Sequence, residues 1–169
     1  MATSYYMACL DLTGRRCVVV GEGDMADEKV AGLEASGAVV ERVSRYRRRV
    51  LRGAFLVVAA TADRALNERI FRDAEERAMF CNVADVPDLC NFILPAVHRE
   101  GAIAVAVSTG GASPALAKRL RNEIAELVRP EHAELAEELR AIRPDVKARF
   151  ATYEERREYF DRLVRERLA

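Results

Sequence analysis

The chain has 169 residues, 50% hydrophobic and 32% charged, with 27 basic residues balancing 27 acidic ones. That length provides one domain of ordinary size plus an appendage, and the apolar fraction excludes a disordered chain of low hydrophobicity. Zero formal net charge argues against a protein whose main task is non-specific binding to nucleic acid or to an acidic membrane surface.

Residues 16–20, 54–60 and 103–107 are nearly continuous in apolar side chains, the pattern of strands covered on both faces in a parallel sheet. The longest such runs fall far short of the roughly 20 residues of a membrane-spanning helix, so no span is expected. The N-terminus lacks the basic, apolar and small-residue succession of an export signal, which makes the cytoplasm the expected location. Residues 25–36 have helical spacing, with Met25, Val30 and Leu33 toward one side and Asp27, Glu28 and Glu34 toward another, and Gly37 supplies a stop. Residues 39–43 read as a further strand. Residues 66–77 read as a second helix capped by Asp63, and 79–83 as a strand ending at the turn-prone Asp85-Val86-Pro87-Asp88. The alternation of strand and helix predicts a doubly wound α/β sheet.

Beyond Gly110-Gly111 no strand signal remains. Ser113-Pro114 is a helix start, and Pro130 and Pro144 are expected to divide the remainder into three helices. Thr152 and Glu155 form a T-x-x-E capping box for the last of them. Helices this charged need to lay a narrow apolar stripe on the sheet domain or on a second subunit, and a dimer is the preferred expectation. The expected domains are residues 1–112 and 113–169. Cys9, Cys17, Cys81 and Cys90 match neither C-x-x-C nor a zinc pattern and read as reduced core thiols. His98 and His132 lack partners at ligand spacing, so no metal site is expected.

The first strand runs into Gly21-Glu22-Gly23-Asp24-Met25-Ala26, a G-x-G-x-x-A turn opening a helix. Gly21 permits the tight turn, Gly23 lets a pyrophosphate approach the backbone, and Ala26 lets the helix sit close to the strand. The helix N-terminus offers free amides to phosphate. Glu41 stands where a ribose-binding carboxylate is expected, although strand alternation could equally turn it to solvent. After it come Arg42, Arg45, Arg47, Arg48, Arg49 and Arg52, either a solvated basic surface or guanidiniums that hold carboxylates or phosphates. Asp85 follows a strand end, where open α/β sheets bind ligands, or it merely shapes the turn before Pro87. Residues 108–114 form another glycine-rich turn.

Four segments, DLTGRRCVVVGEGDMA, GAFLVVAATAD, FCNVADVPDLCNFILPA and VAVSTGGASPALAKRLR, resemble in this order the precorrin-2 dehydrogenase and sirohydrochlorin ferrochelatase family, which includes the N-terminal module of siroheme synthase. The resemblance implies a Rossmann-like parallel sheet, here shortened after the second strand, followed by an all-helical dimerisation and tetrapyrrole-binding region. It implies NAD-dependent oxidation of precorrin-2 to sirohydrochlorin. It places the dinucleotide on Gly21, Gly23, Asp24 and Met25, with Ser44 and Arg45 on the adenosine side and Ala60 and Thr61 near the ribose or nicotinamide. Asp85 falls on the proposed general acid or base, and Asn82, Ser108, Thr109, Gly110 and Ser113 fall along the tetrapyrrole site. The implied partners are the tetrapyrrole substrate and a second copy of the chain, with no nucleic acid and no membrane.

This chain departs from the family pattern at two places. Glu28 stands where an arginine is usual, and only residues 44–54 separate the second strand from GAFLVVAAT, where relatives place a longer segment. The expected chain also has no methyltransferase domain. The shortened crossover keeps two alternatives open: a chelatase that has abandoned the dinucleotide, and a non-catalytic tetrapyrrole carrier.

Overall fold

The computed structural model describes residues 5–168. The chain divides into two compact units, one ending at Leu94 and one beginning at Pro95.

The first unit runs β1 (Arg16–Gly21), α1 (Asp24–Glu34), β2 (Val39–Val43), a 3₁₀ turn (Arg48–Leu51), β3 (Leu56–Ala60), α2 (Arg64–Glu75), β4 (Phe80–Val83) and a second 3₁₀ turn (Pro87–Leu89). Its four strands pair in parallel in the order β2-β1-β3-β4. Strand alternation sends Cys17, Val19, Leu56 and Val58 to one face, against Ala26 and Leu33 of α1. Val18, Val20, Val57 and Ala59 go to the other, against Ile70 and Ala74 of α2. The apolar runs at 16–20 and 54–60 are therefore strands covered on both faces, as expected. Asp63 caps α2 by accepting from the Leu66 N–H at 3.0 Å, and the chain leaves α1 through Gly37 at φ 80°.

Because β1 lies between β2 and β3, residues 44–55 must cross the sheet without a helix of normal length. The 3₁₀ turn accomplishes this by burying Leu51 completely against Val18, Val20, Val57 and Ala59. Arg16 pins the crossover from below: it donates to the carbonyls of Val50 and Arg52, each at 2.8 Å. Tyr46 pins it to α2, its hydroxyl donating to the buried Asp73 carboxylate at 2.7 Å, and Arg48 reaches the same carboxylate at 3.3 Å. Burial and that hydrogen bond push the Tyr46 phenol well above its ordinary pKa. A single turn thus carries the short crossover, anchored by buried Leu51 and by the bonds of Arg16, Tyr46 and Arg48.

Residues 90–92 close the free edge of β4. Asn91 accepts from the Cys81 N–H at 2.7 Å and donates to the Met79 carbonyl at 2.9 Å, and the Asn91 N–H donates to the Cys81 carbonyl at 3.0 Å. Exposed strand edges are templates for unwanted pairing, and this one is masked by a loop. Cys17 and Cys81 are fully buried, and burial pushes the Cys81 thiol up to about 12. Cys9 is exposed, contrary to the expected core placement.

The second unit holds a hairpin, β5 (Ala96–Glu100) with β6 (Ile103–Val107), followed by α3 (Pro114–Ala125), α4 (Pro130–Arg149) and α5 (Tyr153–Arg167). β6 was expected in the parallel sheet but pairs only with β5, antiparallel, and its burial alternates. In Ile-Ala-Val-Ala-Val the β-branched residues are half-buried and the alanines exposed, so a run that counts as wholly apolar is a one-sided strand. β5 was not anticipated, because His98, Arg99 and Glu100 mask its pattern. Gly101 turns the hairpin at φ 53°. The hairpin belongs with the helices, so the break between units precedes the expected boundary at 112. Ser113 caps α3 through the Leu116 N–H, and the Thr152–Glu155 capping box forms as expected. Pro144 does not divide the tail: α4 runs through it, and the break falls at residues 150–152. The apolar contacts of a long helix outweigh one missing N–H.

Candidate functional site

The chain passes from β1 to β2 on one side and then to β3 on the other, so the carboxyl ends of β1 and β3 form a topological switch point, where open α/β sheets bind ligands. Gly21 ends β1 opposite Ala60, the last residue of β3. Gly23 has φ 82° and ψ −176°, a region essentially restricted to glycine, and a Cβ there would meet nothing within 4 Å. The turn is therefore glycine-dependent at Gly23 for backbone conformation and leaves open space above it.

No side chain caps α1 at Gly23. Its first intrahelical bond is from the Asp27 N–H to the Gly23 carbonyl, so the amides of Asp24, Met25 and Ala26 are free of helical acceptors. Three convergent N–H groups over an open glycine suit a pyrophosphate. Asp24 and Met25 are exposed in the first turn of α1. Ala26 is fully buried, letting α1 sit close to the sheet.

Along β2 the side chains alternate in role. Glu41 accepts from Arg16 Nε at 3.1 Å and Nη2 at 2.5 Å, which engages it on the crossover side of the sheet instead of beside the glycine turn. Arg42 takes the other face: its Nε donates to the Gly21 carbonyl at 3.1 Å and its Nη1 pairs with Asp27 in the first turn of α1. Ser44 and Arg45 follow, both exposed. The remaining arginines of the cluster divide by task, Arg48 joining Asp73 and Glu76 while Arg52 contributes a carbonyl to Arg16.

Ala60 is buried, and the Thr61 hydroxyl is engaged at the start of α2, bonded to Asn67 Oδ1 at 2.7 Å and to the Asp63 N–H at 3.2 Å. Asp85 lies in a turn closed by the Val86 N–H to the Val83 carbonyl, at φ 60°. A positive φ outside glycine is uncommon, although aspartate tolerates it better than most residues. The side chain is exposed and has no hydrogen bond or ion pair among the described residues. Cys90, which sequence reasoning treated only as a core thiol, braces this turn: Sγ lies 3.2 Å from the Val83 N–H and 3.3 Å from both the Val83 and Val86 carbonyls. Asn82 is buried and donates to the Phe92 carbonyl at 3.1 Å, so its amide holds the edge loop to β4 instead of facing outward.

The remaining predicted residues lie in the second unit. The Thr109 hydroxyl accepts from the Ser113 N–H at 3.0 Å, and Ser108 Oγ accepts from the Gly110 N–H at 3.1 Å. Gly110 and Gly111 carry φ of 62° and 87°. This turn is braced by its own hydroxyls, with Ser113 also capping α3.

A parallel sheet with a glycine turn and an uncapped helix start at its switch point defines a dinucleotide-binding domain. Residues 8–96 match the family model described as "Putative NAD(P)-binding", and the chain belongs to this family. Residues 100–127 match a second model, "Sirohaem biosynthesis protein central". A siroheme synthase of Methylobacillus flagellatus is 37% identical over 173 residues, covering 90% of this chain and 37% of that protein. One of Citrobacter koseri is 35% identical over 183 residues, covering 94% of this chain and 39% of that protein. The chain thus spans less than two fifths of the length of these relatives. Among solved structures, SirC, a precorrin-2 dehydrogenase, superposes with a TM-score of 0.76 over 98% of this chain and 93% of its own, at 24% identity, so the two share a fold. The family resemblance read from the four sequence segments is borne out.

Proposed function

We propose that this chain is an NAD-dependent precorrin-2 dehydrogenase, oxidising precorrin-2 to sirohydrochlorin in siroheme or related tetrapyrrole synthesis. The observation that carries the reading is the pairing, at the carboxyl edge of one sheet, of a glycine cradle fit for pyrophosphate with the Asp85 carboxylate, which has no partner among the described residues.

In this reading the amides of Asp24 and Met25 hold the pyrophosphate, Gly23 gives it room, and Ala60 and Thr61 border the nicotinamide half. Bound NAD+ supplies an acceptor for the hydride that the substrate loses. The accompanying proton goes to a base, and Asp85 is suited to take it: the side chain is exposed, can return the proton to solvent, and is held by a turn that Cys90 braces. One hydride and one proton leave the substrate, which completes a two-electron oxidation. Within the second unit, Ser108, Thr109, Gly110 and Ser113 are the tetrapyrrole contacts that the family resemblance implies. Leu116, Leu120 and Leu127 are exposed on and just after α3, an apolar surface that supports a homodimer, measurable by light scattering. No helix among the described residues is long and apolar enough to cross a membrane, and a cytoplasmic location is part of this proposal.

The test is anaerobic incubation with precorrin-2 and NAD+. Sirohydrochlorin absorbance and NADH should rise together. Asp85→Ala should slow the reaction by about 10²–10⁴-fold while leaving NAD+ affinity unchanged. Absence of NADH with authentic substrate overturns the reading.

A further inference from the structure

We infer that the adenosine end of the cradle accepts a 2′-phosphate, read chiefly by Arg42 with added positive charge from Arg45 just beyond the strand, so that NADP+ binds at least as tightly as NAD+. This rests on the dinucleotide reading above and specifies its cofactor.

A domain selective for NAD presents a carboxylate from the end of its second strand to the ribose hydroxyls, which would repel a 2′-phosphate; one that takes NADP has an arginine nearby. The acidic residue on β2 of this chain is Glu41, and two bonds from Arg16 engage it. Arg16 is itself anchored by the Val50 and Arg52 carbonyls, so the short crossover also holds this carboxylate away from the glycine turn.

The residue presented instead is Arg42. Its Nε bonds the Gly21 carbonyl, which places the guanidinium against the glycine turn itself. Nε and Nη1 are engaged, by Gly21 and Asp27, and the Nη2 donors have no protein acceptor among the described residues. The pair with Asp27 is solvent-exposed, at 37% and 59% of the side chains, and such pairs contribute little, about 0–1 kcal/mol. Asp27 therefore orients the guanidinium without saturating it. Arg45 is exposed and makes no ion pair among the described residues, leaving a second positive charge at the end of the same strand. The acidic side chains around the turn are Glu22, Asp24 and Asp27, and the last already has Arg42 as its partner. Phosphate is the ligand that a forked, partly free guanidinium serves best.

Calorimetric titration with 5′-AMP, adenosine 2′,5′-bisphosphate, NAD+ and NADP+ tests this. The bisphosphate should bind at least tenfold tighter than 5′-AMP, with the difference shrinking as salt rises. Arg42→Gln should bring that ratio toward one while changing 5′-AMP affinity less than threefold. Arg45→Gln, at an exposed side chain without partners among the described residues, should lower the ratio severalfold and keeps the test available if Arg42→Gln unfolds. If NAD+ binds and NADP+ binds more weakly than NAD+, this inference falls and the dinucleotide reading stands. If none of the four binds, both fall.

Discussion

The Gly21 Cα lies so close to Ala60 that a Cβ on Gly21 would stand 2.0 Å from the Ala60 carbonyl oxygen. The two residues close the carboxyl ends of adjacent parallel strands. Gly21 is therefore required by packing as well as by its φ of 138°. Gly21→Ala should lower stability by about 3 kcal/mol, combining overpacking with backbone strain, seen as a lower urea midpoint. A midpoint equal to that of the wild type would show that the strands can part at no cost.

Gly23 provides the contrast. Its conformation excludes other residues, yet nothing surrounds its missing Cβ. Gly23→Ala should cost about 1–3 kcal/mol through strain alone, and the methyl would stand in the space a pyrophosphate needs. NAD+ affinity should fall by more than the stability change explains, as measured by titration on the folded variant at low temperature.

The crossover depends on Tyr46 and Asp73. Removing the phenol hydroxyl leaves a buried carboxylate short of a donor, with the exposed Arg48 as its remaining side-chain partner. Tyr46→Phe should cost about 1–3 kcal/mol. Hydrogen exchange should show the loss concentrated at residues 44–55, and uniform loss across the sheet would contradict the clamp.

The last helix carries a pH dependence. The Thr152 N–H and hydroxyl hold the Glu155 carboxyl below its ordinary value of 4.5. A depressed folded pKa means that the capping contribution is present above the unfolded value and is lost as pH falls through the folded one. The first turn of α5 should fray as pH falls below the ordinary carboxyl value of 4.5 and through the lower folded one, visible as faster amide exchange there. Glu155→Gln, which keeps the reciprocal bonds without titrating, should abolish that dependence.

The G-x-G-x-x-A turn, the caps at Asp63, Ser113 and Thr152, and the two doubly covered strands were legible because each is a local pattern. Backbone conformation, a neighbouring hydroxyl and a run of β-branched side chains are decided within a few residues. The same locality explains the misses. Ile103–Val107 reads as apolar throughout, and whether its alanines meet a helix or solvent depends on which strand pairs with it. Pro144 breaks helices on average, but the packing of α4 carries the helix past it.

Residue chemistry in the sequence determined the type of the first unit and the identity of its glycine cradle. Tertiary structure alone decided the fate of the charges. Glu41 and Arg42 are neighbours, and either could have faced the adenosine side. Period-two alternation, together with Arg16 held by a crossover too short for a helix, turns the carboxylate to one face and leaves the guanidinium against Gly21. Likewise Cys90 and Asn91 look like ordinary loop residues until β4 has a free edge for them to cover. Such partners lie many residues apart along the chain, and their pairing is settled only by which strand is adjacent to which.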